Sequence, residues 1–282
     1  MGLRRKLRVE PGTRPCLADI DTGFHGDFKS EKTAGKQLAK NAERLGDLQQ
    51  KLYGEGRHAL LIVLQGMDAA GKDGTCWHVM SAMNPQGTVV KSFKQPTAEE
   101  LRHDFLWRIH AHTPGLGEVA VFNRSHYEDV LVVRVHDLVP EAVWSGRYRM
   151  INDFEAMLAA QGTTILKFFL HISPAEQLRR FEQRLADPAR QWKISESDYS
   201  ERPHWDAYQT AYEDALEKCS TEHAPWYVIP SDRKWFRNLA ISHIIAKTLD
   251  GLDMKLPAPS VDIEKIRALY HSASGTPTAD QE

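Results

Sequence analysis

Apolar positions along the chain recur in two rhythms. Leu38, Leu45, Leu48 and Leu52 fall on one stripe behind Ser30, which predicts a capped helix to about Tyr53, ended by Gly54-Glu55-Gly56 and packed on its own domain or against a second copy. Five short strand-like runs follow, at 60–64, 88–93, 118–122, 163–172 and 226–230, the first too short for a free-standing helix. Helical patterns separate them. One runs from the end of the glycine loop after the first strand to about Met83, one from the Thr97/Glu100 capping box to about His112, and one from 123 through Val139. Further helices are expected from Pro140 to Gln161-Gly162, from Ser173-Pro174 onward, over 206–218 with Trp205, Tyr208 and Tyr212 on a core face, and as a final amphipathic helix over 232–252. Strands alternating with helices predict an α/β fold, a five-stranded parallel sheet covered on both faces. Residues 1–55 form an N-terminal arm and helix, 56–256 the core, and 257–282, closing in SASGTPTADQE, a flexible tail.

The first strand runs into Gly66-Met67-Asp68-Ala69-Ala70-Gly71-Lys72, the spacing of a phosphate-binding loop, with Asp73-Gly74-Thr75 opening the next helix. Glycines let successive N–H groups point into one concavity, and the helix N-terminus and Lys72 add positive charge. Gly66, Met67, Ala69, Ala70, Gly71, Asp73 and Gly74 are therefore phosphate-binding candidates, with Lys72 placed in an accessible loop. Asp73 stands where such loops usually carry the Ser or Thr that holds magnesium, and Thr75 comes two places too late. Asp68 is the nearest carboxylate.

The third strand ends in Asn123-Arg124-Ser125-His126-Tyr127-Glu128-Asp129, where a second magnesium carboxylate is expected but a neutral amide stands first. Asp129, one to two helical turns on, is expected to reach the cleft, with Glu128 about 100° away on the helix. Asp68 and Asp129 are thus the expected metal and acceptor-activating carboxylates, Asn123 only hydrogen-bonding; the bland alternative has Asp129 favouring a helix dipole. Lys91 and Lys94 flank the end of the second strand, facing either phosphates or solvent. After the fourth strand, Arg179, Arg180 and Arg184 lead into 187–193, placed like the mobile lid of small kinases, at about 180–205. His103, His110 and His112 have no i, i+4 pair and predict no metal site.

Charge narrows the partners. Lys+Arg 36 against Asp+Glu 38 leaves a net charge of -2, so no global field recruits nucleic acid or membrane, and a polyanion needs a local cluster of basic residues. Three scattered cysteines, no signal-peptide pattern and no long apolar run fit a cytoplasmic location.

The segments GMDAAGKDG, FNRSHYEDV and DPARQWKIS, in this order, resemble the polyphosphate kinase type 2 family over roughly residues 30–250. The resemblance implies a P-loop kinase fold with a helical lid, like nucleotide monophosphate kinases, and phosphorylation of nucleotides from inorganic polyphosphate with Mg2+. It puts Asp68 and Lys72 at the reacting phosphates, makes Arg124 a phosphate clamp, and gives Arg180, Arg184 and Lys193 lid contacts. Asn123, Glu128 and Arg134 are assigned to the nucleotide. Many members read F-D-R-S where this chain has Phe122-Asn123-Arg124-Ser125; the N-R-S-H-Y-E-D version is similar to the branch that phosphorylates both AMP and ADP. Polyphosphate and adenine nucleotides are the expected partners, without nucleic acid or membrane, and a homo-oligomer, dimer or tetramer, is the expected assembly. An ATP-dependent nucleoside or small-molecule kinase, or a non-catalytic nucleotide switch, shares the loop and stays open on these residues.

Overall fold

Five parallel strands, β1 (Ala59–Gly66), β2 (Thr88–Ser92), β3 (Val119–Asn123), β4 (Thr163–His171) and β5 (Trp226–Pro230), lie in the order β2-β3-β1-β4-β5. The computed structural model describes residues 2–274. β1 is central and buried at every position, between β3 (Leu60 beside Val119) and β4 (Leu60 beside Thr164). Its near-continuous apolar run is what a strand covered on both faces requires.

The helix α1 (Glu31–Glu55) is capped by Ser30, whose side chain accepts from the Thr33 N–H, and it ends on Gly56 in the left-handed region. It packs against α6 (Lys234–Asp250) through Leu45, Leu48 and Leu52, with Asn41 Nδ2 donating to Ser242 Oγ at 2.9 Å. This cover changes the expectation for α6, which is buried nearly all round rather than amphipathic. On the other side α3 (Glu141–Ala160), its start set by Pro140, packs on β4 and on α5 (Trp205–Cys219). The helix α4 (Pro174–Ala186) starts at Ser173, whose hydroxyl accepts from Glu176 N. A last helix, α7 (Ile263–Ser274), has no buried residue; the end of the expected tail, 275–282, lies outside the described residues.

Three expected helices are shorter than their patterns. The loop helix α2 (Lys72–Thr75) passes into a π turn at Cys76–Met80. The capping box at 97–100 forms, with Thr97 N on Glu100 Oε2 and Glu100 N on Thr97 Oγ1. Only one 3-10 turn follows it. His103 is extended, and Asp104 takes the Leu106 N–H and restarts the chain as the short helix Trp107–His110. From 123 to 139, a 3-10 turn (His126–Asp129) capped by Ser125 and a short helix (Val132–Val135) replace one helix. Val130, Val132, Val133 and Val135 lose side-chain freedom in a helix, and Asp137 is left-handed at φ 49.

The N-terminal arm lies across β5 and α5. Leu7, Val9 and Leu17 are buried; Val9 N donates to Trp226 O at 2.9 Å and Leu17 N to Glu213 Oε1 at 2.8 Å, and Arg14 pairs with Asp214. Behind β3, a fully buried ionic network holds the 3-10 turn in place. Lys167 of β4 donates to Tyr127 Oη (2.9 Å), Cys219 O (2.6 Å) and Glu155, and Glu155 also lies 3.2 Å from His126 Nε2. Paired charges of this kind are tolerated inside only when their hydrogen bonds are met.

Candidate active site

The site forms where β1, β3 and β4 end together, beyond their carboxyl ends. Gly66 closes β1 at φ 153, and a Cβ there would sit 2.7 Å from the Leu170 carbonyl of the neighbouring strand. Gly71, at φ 110, opens α2, and a Cβ there would run into the guanidinium of Arg237. Both positions admit glycine alone without rearrangement.

Every carbonyl from Gly66 to Ala70 is held by a side chain. Lys72 Nζ folds back onto Gly66 O (2.6 Å) and Met67 O (3.3 Å), and Gln177 Nε2 takes Asp68 O at 2.9 Å. Arg180 Nη1 takes Ala69 O (2.8 Å) and Ala70 O (3.0 Å), and Arg237 Nη1 adds a 3.2 Å bond to Ala70 O. The N–H groups of Asp68, Ala69, Gly71 and Lys72 donate to none of the described residues. A loop whose acceptors are all taken and whose donors are spare is a nest for an anion.

Three buried cations stand under this nest, and they correct two expectations. Lys72 is buried rather than accessible, and burial, with Arg124 nearby, lowers its pKa to about 8. Arg180, expected as a lid contact, is a fixed support of the loop; its Nη2 also reaches Ser231 O (2.5 Å) and Asp232 O (3.1 Å), and burial lowers its pKa. Arg237 is lowered to about 9 by burial and by Arg180. A bound polyanion would reverse all three shifts by favouring the charged forms.

The other wall comes from the turn after β3. Arg124, left-handed at φ 61, sends Nη2 to Asp68 Oδ1 at 2.8 Å and Nη1 to Glu128 Oε2 at 3.4 Å. Glu128 and then Asp68 push its pKa up. A cleft of about 170 Å³ opens between Asp68, Arg124 and Glu128 on one side and Ser197, Glu201, Tyr208 and Tyr212 on the other, with Met67, Leu131 and Val132 as its apolar surface. Burial, then Glu201 for Tyr208 and Glu128 for Tyr212, keeps both phenols protonated.

The remaining candidates scatter. Asn123 Nδ2 donates to Asp73 Oδ1 at 2.8 Å, and Lys193 Nζ lies 3.7 Å from Asp73 Oδ2, tying the segment after α4 to the loop. Arg184 is engaged by Asp198 at 3.1 Å. Asp129 does not join Asp68. Its Oδ1 takes Arg147 Nη1 at 2.9 Å, and burial raises its pKa to about 6 despite Arg147. It is Glu128 that shares Arg124 with Asp68. Arg134 is drawn away to Asp214 Oδ2 (2.7 Å) and stacks over Trp144, lining a separate cavity of about 460 Å³. Lys91 sits near the Phe93 ring, and neither it nor Lys94 lines the cleft. His103 stacks on Trp107, His110 meets Phe154 and His112 meets Phe93.

The sequence does not single out Arg237 or Gln177, and its pattern places Tyr208 and Tyr212 only on a core face. A lone arginine inside the apolar run WFRNLAISHII was the available signal for the first. Gln177 carried none.

Known proteins resemble this chain over most of its length. The sequence model of the family described as Polyphosphate kinase 2 matches residues 28–257. The AMP/ADP-polyphosphate phosphotransferase of Meiothermus ruber is 52% identical over 263 residues, 93% of this chain and 98% of the relative. The ADP-polyphosphate phosphotransferase of Rhodopseudomonas palustris is 46% identical, over 90% and 92%. The crystal structure of Polyphosphate Kinase 2 from Arthrobacter aurescens TC1 superposes with a TM-score of 0.93 at 43% identity, covering 96% of this chain and 97% of that one.

Proposed function

The chain belongs to the polyphosphate kinase 2 family, and from that membership we propose that it moves a phosphoryl group from inorganic polyphosphate to AMP and ADP, giving ADP and ATP. The observation that carries this reading is the loop itself, its carbonyls 66–70 all engaged and its N–H groups at 68, 69, 71 and 72 spare above Lys72, Arg180 and Arg237. Polyphosphate offers no base or sugar to recognise, so recognition by amides and buried charge suits it.

Phosphoryl transfer asks the protein for alignment and charge neutralisation rather than covalent help. The acceptor's phosphate is mostly ionised at neutral pH, its second pKa being about 6. No side chain need remove a proton. The attacking phosphate oxygen forms a bond to the terminal phosphorus of polyphosphate as the bridging oxygen leaves with the shortened chain. Arg124, fixed between Asp68 and Glu128, stands between loop and cleft to orient acceptor and donor.

Asp68 and Glu128 share one arginine, which leaves a net negative charge suited to a divalent ion, and Mg2+ normally takes one or two carboxylates with waters and phosphates. They are the residues that would hold it, in place of the pair Asp68 and Asp129. When bound, Mg2+ supplies neutralisation of the phosphates. A cytoplasmic location fits the unpaired Cys16, Cys76 and Cys219, and no helix among the described residues is long and apolar enough to cross a membrane. A homo-oligomer fits the exposed Val89 and Val90 of edge strand β2 and the uncovered α7; a monomer by sedimentation at micromolar concentration would refute it.

The deciding assay supplies purified protein with Mg2+, AMP or ADP, and polyphosphate, and reads ATP. Turnover with ATP as donor and none with polyphosphate would establish the ATP-dependent kinase instead; binding without turnover would establish the switch.

A further inference from the structure

Glu201 stands where the segment after α4 meets the cleft, directly after the short helix Glu196–Ser200. Its Oε2 receives Tyr208 Oη at 2.8 Å from α5 and lies 2.9 Å from His136 Nε2 at the end of the helix Val132–Val135. Both partners act on one oxygen. Oε1 takes no hydrogen bond from the described residues, although an ionised carboxylate has about four acceptor positions.

The surrounding charges define what can approach it. Arg124, across the cleft, is divided between Asp68 and Glu128, and Arg184 is engaged by Asp198, so neither arginine is paired with Glu201. A phosphate would meet a carboxylate oxygen, Oε1, that carries no donor, His136 and Tyr208 both being on Oε2. An uncharged hydroxyl or amino donor would meet a fixed acceptor, beside the apolar surface of Leu131 and Val132 that suits a base.

We propose that Glu201 accepts a hydrogen bond from the uncharged part of the acceptor nucleotide, a ribose hydroxyl or an amino group of the base, and that His136 and Tyr208 are positioning residues that hold it. This rests on the nucleotide-acceptor reading above. It gives the cleft a polar contact that scores the nucleoside independently of the phosphates, since a site built to bond such a donor rejects analogues lacking it.

The test is calorimetric titration of AMP, without polyphosphate, into wild type and Glu201→Gln, with polyphosphate-dependent turnover measured separately. AMP affinity is expected to fall about tenfold or more, with the KM for polyphosphate unchanged. Tyr208→Phe, which keeps the ring and removes only the hydroxyl, should weaken AMP binding in the wild-type background and add nothing to Glu201→Gln. Repeating the titrations with 2′-deoxy-AMP, 3′-deoxy-AMP and inosine monophosphate identifies the donor: the analogue lacking it binds wild type and Glu201→Gln equally. The inference is overturned if Glu201→Gln binds AMP like wild type, if all three analogues lose affinity equally, or if wild type does not bind AMP. Wild type that binds AMP with these differences but fails to phosphorylate it from polyphosphate overturns the proposed reaction and leaves this inference standing.

Discussion

Lys72 is a cation held at a cost, and that cost is what makes it responsive to substrate. Burial lowers its pKa to about 8, well under the ordinary value of about 10.4. Between those two values the unfolded chain binds more protons than the folded one. The burial penalty is therefore fully present below about pH 8 and is relieved as pH rises through that window. Anion binding has the opposite sign, because polyphosphate favours the charged lysine. Near pH 8 its binding should take up protons, seen as a binding enthalpy that changes with the buffer's ionisation enthalpy, and Lys72→Ala should lose the part of that uptake due to Lys72. The same variant should lower turnover about a hundredfold or more, as loss of one preorganised charge does, while remaining folded by circular dichroism. Near-normal turnover would remove the lysine from the reaction. At this scale the sequence shows Gly66, Gly71 and Lys72 through their spacing alone. It conceals that Lys72 is buried and that Arg180 and Arg237 grip the loop from below, because those contacts join residues about 110 and 167 positions apart.

The elements around the loop divide into fixed supports and movable contacts, and the two kinds should fail differently. Arg180 on α4 bonds four backbone carbonyls and Glu176 from a buried position. Arg180→Ala leaves the carbonyls of Ala69, Ser231 and Asp232 without its donors, while Ala70 O keeps Arg237 and Glu176 keeps Arg179, and should cost about 3–5 kcal/mol, lowering the denaturant midpoint and turnover together. Lys193, half-exposed beside Asp73, is expected to act only on substrate. Lys193→Ala should leave the midpoint unchanged, raise the KM for long polyphosphate and flatten its salt dependence, since exposed charges are screened within about 10 Å at 0.1 M. Equal loss of stability in both variants would contradict this division. The strands, α1 and α3 to α6 follow from apolar spacing, caps and prolines. The broken stretches at 97–112 and 123–139 do not, because a side chain such as Asp104 or Ser125 capturing a backbone N–H overrides a periodic pattern.

Across the whole molecule, the N-terminal arm is part of the core, although no periodic pattern in its sequence marks it so. Removing residues 2–17 takes away the buried Leu7, Val9 and Leu17 and one of the cationic partners of Asp214. With about 1.5–3 kcal/mol for each buried leucine or valine, the melting temperature should fall by roughly 10 °C or more. Turnover at low temperature should persist, since the arm lines no part of the cleft. An unchanged melting curve would show the arm to be merely adsorbed.

The arm's contacts also set a timetable for biosynthesis. Residues of the arm leave the ribosome well before their partners, which lie 196–214 positions later, as Leu17 pairs with Glu213 and Arg8 with Glu222, and α1 waits for α6 across 201 positions from Asn41 to Ser242. At 5–20 residues per second, the nascent arm and first helix stay without their partners for on the order of 10–40 s. The arm and α1 thus dock long after they are made, and for that interval the Leu45–Leu48–Leu52 stripe is a surface that the cell's chaperones have the opportunity to hold.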